Sequence, residues 1–211
     1  VKYTPLGIEV CCGAPVMISG AVKETKKQAK RVEKEIEDSG VDVVVTPCAH
    51  CYTTIKAELP HLTGKKKRKY RVLHLSQFIK DLIDKGKIKF TKPVKAVVCY
   101  HDPCYIGRKG DGVYEEPREI INAIPGAKLQ EVEYNRRMAS CCGGGGLVRA
   151  YLPILSSEVS KEKIERQFLP AGAEILVSSC PFCYKNLYEG GETFENLEVL
   201  DLIELLLKAM E

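Results

Sequence analysis

The sequence contains no apolar run of the length a membrane span needs and no secretory hydrophobic segment. The first lack excludes a spanning helix, and the second removes the usual setting for a disulfide scaffold. A net charge of +4 across 211 residues is too mild to argue for nucleic acid as a partner. The densest basic run, Lys65-Lys66-Lys67-Arg68-Lys69, follows Gly64 and precedes a short apolar segment. It reads as a solvated loop, the alternative being a dock for an acidic redox partner. Gly143-Gly144-Gly145-Gly146 lacks the Lys-Ser/Thr of a phosphate-binding loop, and Gly143–Val148 does not satisfy GxGxxG. The chain opens on Val1 rather than Met, which reads as a fragment or a processed piece.

What is abundant is cysteine. Ten are present, clustered, in a chain whose 45% hydrophobic and 28% charged residues suit a packed core. Clustered thiols without an export signal fit a reducing compartment and metal-bound thiolates, so a cytoplasmic location is expected. Moreover, the cysteines repeat. Cys11-Cys12-Gly13 is followed after 35 residues by Cys48-Ala49-His50-Cys51-Tyr52, and Cys141-Cys142-Gly143 after 37 by Cys180-Pro181-Phe182-Cys183-Tyr184.

The repeat extends beyond the thiols. Val41–Val45 and Ala173–Val177 are β-branched or apolar runs leading into each CxxC, as buried parallel strands would. Helices are expected after each CxxC, over 49–58 and 181–188, then strands at 71–75 and 198–202, each opening a helix, Ser76–Lys85 and Leu202–Met210. Longer helices over 19–38 and 156–168 join each cysteine pair to its CxxC, the first ending at Gly40 in a left-handed cap. The second half has an additional front: a strand at 94–99, Cys104, a helix near 116–123 and a strand near 128–133. The expected fold is therefore α/β with two tandem units, each a small parallel sheet with helices and a cysteine cluster at the strand C-termini. Unit one covers 1–92 and is incomplete at its N-terminal end; unit two covers 93–211; the junction is 86–93.

Unit two offers five thiols: Cys104, Cys141, Cys142, Cys180 and Cys183. A structural zinc ion or a cubane cluster takes four. Five, with two adjacent, favour a multi-iron centre of uncommon shape, and the glycine run lets backbone N–H groups reach sulfur. Tetrahedral zinc and a CxxC disulfide are the competing readings. Cys99 reads as a buried strand residue. His50 and His101 are expected to hydrogen-bond locally rather than ligate, with proton delivery as the functional alternative. Arg108 and Arg149 are candidates to neutralise a centre or bind an acidic substrate.

The pattern Cys104-x36-Cys141-Cys142-Gly143-x37-Cys180-x-x-Cys183, with His101-Asp102-Pro103, Pro117-Arg118 and Ile124-Pro125-Gly126, resembles the CCG cysteine-rich domain of heterodisulfide reductase catalytic subunits and related iron–sulfur oxidoreductases. The resemblance implies a non-cubane 4Fe–4S cluster on those five cysteines and reductive cleavage of a disulfide there. It implies a second site at Cys11, Cys12, Cys48 and Cys51 that lacks its first cysteine and holds an iron–sulfur cluster, zinc or nothing. The implied partners are ferredoxin-type iron–sulfur, flavoprotein or membrane cytochrome b subunits, and a small-molecule disulfide or carrier protein. The alternative is an electron-transfer subunit without a disulfide substrate. The implied location is cytoplasmic or peripheral on the inner membrane face through a partner.

Overall fold

The computed structural model describes residues 2–6, 10–65 and 67–210; Lys66 of the basic run lies outside them. Two parallel sheets form among the described residues. The first joins β1 (Val43–Thr46) to β2 (Arg71–His74), with Val43 opposite Arg71. The second holds β3 (Ala96–His101), β4 (Ala127–Leu129), β5 (Ile175–Ser178) and β6 (Glu198–Asp201) in the order β4-β3-β5-β6. Every residue of β5 is buried, as expected of a strand between two others with helices on its faces.

Helices fill the connections: α1 (Ala14–Ile18), α2 (Val22–Ser39), α3 (Ala49–Thr53), α4 (Leu59–Thr63) and α5 (Leu75–Asp84) around the first sheet. Around the second lie α6 (Glu115–Ala123), α7 (Val148–Tyr151), α8 (Pro153–Lys163), α9 (Pro181–Gly191) and α10 (Leu202–Met210). A π-helical turn, Thr54–Glu58, joins α3 to α4, and another, Ile164–Phe168, extends α8. The repeat is visible in register: β1 and β5 both end two residues before the first cysteine of a CxxC. It recurs where β2 and β6 turn into helices. His74 accepts from the Ser76 N–H while Gln77 accepts from the His74 N–H; Asp201 accepts from the Ile203 N–H while Glu204 accepts from the Asp201 N–H. Each is a reciprocal N-terminal cap.

Several expectations shift. The helix expected over 19–38 breaks at Gly20, whose φ of +81° ends α1; Gly40 does cap α2, at φ +64°. The strand expected near 128–133 stops at Leu129, because Glu131 turns aside to Arg118. The basic run is only partly solvated: Arg68 is largely buried, pairs with the buried Glu33 at 2.9 Å and donates to the Ile55 carbonyl. Two apolar clusters each draw on both halves of the chain. One unites Val32, Ile36 and Tyr52 with Ile106, Leu176 and Leu187; the other unites Ile79 with Ile120, Ile121 and Leu205. No helix among the described residues is long and apolar enough to cross a membrane.

Candidate metal centre

The two CxxC motifs are built alike. Cys48 and Cys180 are extended residues at the N-caps of α3 and α9, and Cys51 and Cys183 lie one turn inside. The cap carbonyls accept from the Tyr52 and Tyr184 N–H groups at 2.9 and 2.8 Å. Thiols here face the unpaired N–H groups of a helix start, which favour negative sulfur.

The cysteine pairs are held by glycine. Gly13 and Gly143 have φ of +86° and +85°, where an L side chain is strained. Their N–H groups point at Cys11 Sγ (3.5 Å) and Cys141 Sγ (3.3 Å). The Gly144 N–H points at Cys142 Sγ, 3.4 Å. A Cβ at Gly144 would lie 2.9 Å from both Asn186 Cβ and the Phe182 carbonyl oxygen, so the loop is close-packed as well as bent. Asn186 fastens it. This fully buried side chain donates to the Cys142 and Ser156 carbonyls and accepts from the Ser156 hydroxyl and Arg149.

Cys104 follows β3. Its neighbour Asp102 makes a bidentate ion pair with Arg118 at 2.7 and 2.8 Å, both side chains buried, and accepts from the Arg136 N–H at 2.7 Å. Arg118 also reaches Glu131, and its guanidinium lies 5.3 Å from the Tyr100 ring centre. The network ties the end of β3 to the segment that runs on to Cys141.

Cys104, Cys141, Cys142, Cys180 and Cys183 converge. Cys142 and Cys183 Sγ are 3.3 Å apart, Cys104 hydrogen-bonds Cys141, and Cys180 hydrogen-bonds Cys183. Cys11, Cys12, Cys48 and Cys51 form a second chain of thiol contacts, and Cys48 meets Cys180, so the two sets adjoin. No two are bonded as a disulfide. Cys99 stands apart, fully buried in β3, with burial pushing its thiol up to about 12.

Charge is rationed in this network. Cys104 and Cys142 donate to Cys141, holding it well below the usual thiol range; Cys180 and Cys51 do the same for Cys48, down to about 2. Cys142, donor to Cys141, is pushed up to about 11. Contact with Cys183 lowers Cys180, yet its bond to Cys48 and its burial push it up to about 12; Cys183, whose single S–H lies between Cys142 and Cys180, is raised well above the usual thiol range. Several adjacent thiolates repel one another, so full ionisation needs a positively charged centre among them.

The donor set fits such a centre. Five thiols from three loops line a small cavity of about 20 Å³. His101, fully buried, has neither ring nitrogen hydrogen-bonded, and a ring nitrogen lies within 4.8 Å of the Cys142 and Cys183 sulfurs. The expected local hydrogen bond of His101 is therefore not made, nor is one at His50 Nε2. A Zn–S bond of about 2.3 Å places tetrahedral sulfurs about 3.8 Å apart. At 3.3 Å the Cys142 and Cys183 sulfurs would have to part to serve together on one tetrahedral zinc ion.

A model of the cysteine-rich domain called CCG matches residues 1–56 and 98–188, well over half the sequence. The chain belongs to the CCG cysteine-rich domain family. It is 36% identical over its whole length to a dihydromethanophenazine:CoB–CoM heterodisulfide reductase chain of Methanosarcina acetivorans, spanning 52% of that protein. It is 34% identical over 94% of its length to a chain of the fumarate reductase (CoM/CoB) of Methanothermobacter marburgensis, spanning 38%. An EtfAB:quinone oxidoreductase of Syntrophomonas wolfei is 32% identical over all of it, and there the chain spans 30%. The chain thus spans about half the length, or less, of these CCG relatives.

The surroundings of the CCG loops hold residues that sequence reasoning passed over. Lys163 of α8 is 5% exposed, has no carboxylate partner among the described residues, and donates to the Ser140 carbonyl, the Ser140 hydroxyl and Gln167. Burial lowers it to about 8, against the pull of Cys142, Cys141 and Cys183. Only its helical spacing from Ser156, Ser160 and Ile164, which are buried on the same side, could have marked it. Arg108 donates to the Ala139 and Arg137 carbonyls, and Arg149 is held by Glu189 and Asn186, so both brace loops. A larger cavity, about 320 Å³, adjoins the thiol cavity and shares His50, Gly145 and Phe182 with it.

Proposed function

We propose that this chain is part of an iron–sulfur oxidoreductase subunit that cleaves a disulfide reductively. Cys104, Cys141, Cys142, Cys180 and Cys183 hold a non-cubane 4Fe–4S cluster, and Cys11, Cys12, Cys48 and Cys51 hold a second iron–sulfur cluster or zinc. The observation that carries the reading is the convergence of five thiols on one cavity, two of them adjacent and each approached by a glycine N–H. The likeness to a heterodisulfide reductase chain over the whole sequence supports the substrate class. Two units, 1–92 and 93–211, bring the two thiol sets together at Cys48 and Cys180.

When bound, the cluster supplies electrons singly and an iron with affinity for sulfur. The chain's own residues shape the rest. Asn186, Gly143 and Gly144 fix the cysteine pair, Lys163 sets a buried positive charge beside it, and Phe182, Tyr105 and Pro103 line the cavity. The balance is R–S–S–R′ + 2 e⁻ + 2 H⁺ → RSH + R′SH. Electrons come from a partner, a ferredoxin-type, flavoprotein or membrane cytochrome b subunit, with this part cytoplasmic or peripheral.

A second reading, an electron relay without a disulfide of its own, is favoured by the quinone oxidoreductase among the relatives. The test is anaerobic, dithionite-reduced protein mixed with small disulfides. The disulfide reading expects a changed paramagnetic spectrum and two thiols released per two electrons. No response to any small or carrier-protein disulfide leaves the relay.

A further inference from the structure

Beside the thiol cavity lies the 320 Å³ cavity, walled by Pro15 and Ile18 of α1, Leu147, Ala150 of α7 and Phe182 of α9. The two share His50, Gly145 and Phe182, so a ligand reaching the sulfurs has its remainder in the larger space. Resting on the disulfide reading above, we propose that this cavity takes an uncharged, apolar arm of the substrate, alkyl or aryl, and not an arm ending in sulfonate, carboxylate or phosphate.

Among the described lining residues the one cation is Arg149, and it is spent. Its guanidinium gives 2.9 Å to Asn186 Oδ1 and 2.6 Å to Glu189 Oε1, and Glu189 Oε2 lies 2.5 Å away. Freeing it for an anion would break the hydrogen bond that braces Asn186 and, through it, the Cys142 loop. The Gly144–Gly146 backbone offers neutral dipoles, not charge. An anion moved from water into an apolar wall without a counter-charge loses more than it gains. Beyond Ala150 the surface stays apolar and outward-facing, with Tyr151 75% and Ile154 80% exposed.

An apolar arm gives a graded signature. Each methylene buried strengthens binding about fourfold, the equivalent of about 0.8 kcal/mol. The experiment is calorimetric titration of the oxidised, cluster-loaded protein under anaerobic conditions with methyl propyl, methyl butyl and methyl pentyl disulfides, against methyl 2-sulfonatoethyl disulfide. The dissociation constant should fall threefold to fourfold per methylene, and the sulfonate should bind at least tenfold more weakly than the propyl compound. Ala150→Trp, placing an indole in the cavity, should flatten the series while the cluster's resting spectrum stays that of wild type. A series flat in wild type, or a sulfonate that binds as tightly, overturns the inference. The two readings separate cleanly. Thiol release with a flat series rejects the apolar arm and keeps disulfide cleavage; a graded series without thiol release from reduced protein rejects disulfide cleavage and keeps the apolar cavity.

Discussion

Removing Asp102 tests how the fold holds the centre. Its carboxylate pairs with Arg118 through two bonds and accepts from the Arg136 N–H, with both ionic side chains 3% exposed. Breaking a buried ion pair by deleting one partner costs roughly 3–5 kcal/mol, because the other charge stays buried. In Asp102→Ala, Arg118 keeps Glu131 at 2.6 Å, so the low end, about 3 kcal/mol, is appropriate. The orphaned Arg136 N–H adds about 1 kcal/mol. For a chain of this size each kcal/mol moves Tm by about 2–4 °C, so the expected loss is roughly 8–16 °C. The assay is thermal unfolding of cluster-loaded protein at one fixed scan rate, since cofactor loss makes the process irreversible. Arg118→Met added to Asp102→Ala should restore part of the loss, because a missing pair is cheaper than half of one. Iron retention should fall in the single variant, since the anchored segment leads to Cys141. A loss under about 2 °C, or a double variant no more stable than Asp102→Ala, would refute the reasoning.

Other outcomes follow from neighbouring geometry. Gly144→Ala should lose most bound iron, its Cβ meeting backbone and Asn186 at 2.9 Å, whereas Gly146→Ala, with open space around it, should cost only about 1 kcal/mol in unfolding experiments. Lys163→Met should make the cluster harder to reduce, on the order of tenfold in the reduced fraction at fixed poise or about 59 mV for one electron, and Lys163→Arg should not; redox titration followed by paramagnetic resonance reads both. His74 is fully buried and burial lowers it to about 4. The unfolded chain, with a value of about 6.5, therefore binds the proton first, and stability present above that value is lost as pH falls towards 4. Denaturation at pH 7 and pH 5 should show about 2 kcal/mol lost to this group, absent in His74→Asn, which keeps a capping side chain.

Strands and glycines were legible where one residue type had one physical job. The valines before Cys48 and the Ile-Leu-Val before Cys180 could only be buried strands, and Gly40 could only be a left-handed cap. The convergence of five thiols was legible because spacing placed each at a turn on one sheet edge. What escaped had two jobs at once. Gly20 falls inside the helix expected over 19–38, and its φ of +81° moves the start to Val22. Arg68 reads as one charge in a solvated run until Glu33, 35 residues away, claims it. Asn186 and Lys163 sit in helices where polar residues are ordinarily solvent-facing, and only packing against the Cys142 loop gives them a role. His101 was expected to find a local partner, and its two bare nitrogens became visible only with the sulfurs around it.

The most direct test is metal and acid-labile sulfide analysis of anaerobically purified protein, alongside serine replacements of Cys104, Cys141, Cys142, Cys180 and Cys183 one at a time. Iron and sulfide in equal amounts, with each replacement reducing or altering the iron signal, is the predicted result. Zinc without sulfide, or iron untouched by loss of Cys104, would contradict a cluster gripped by all five.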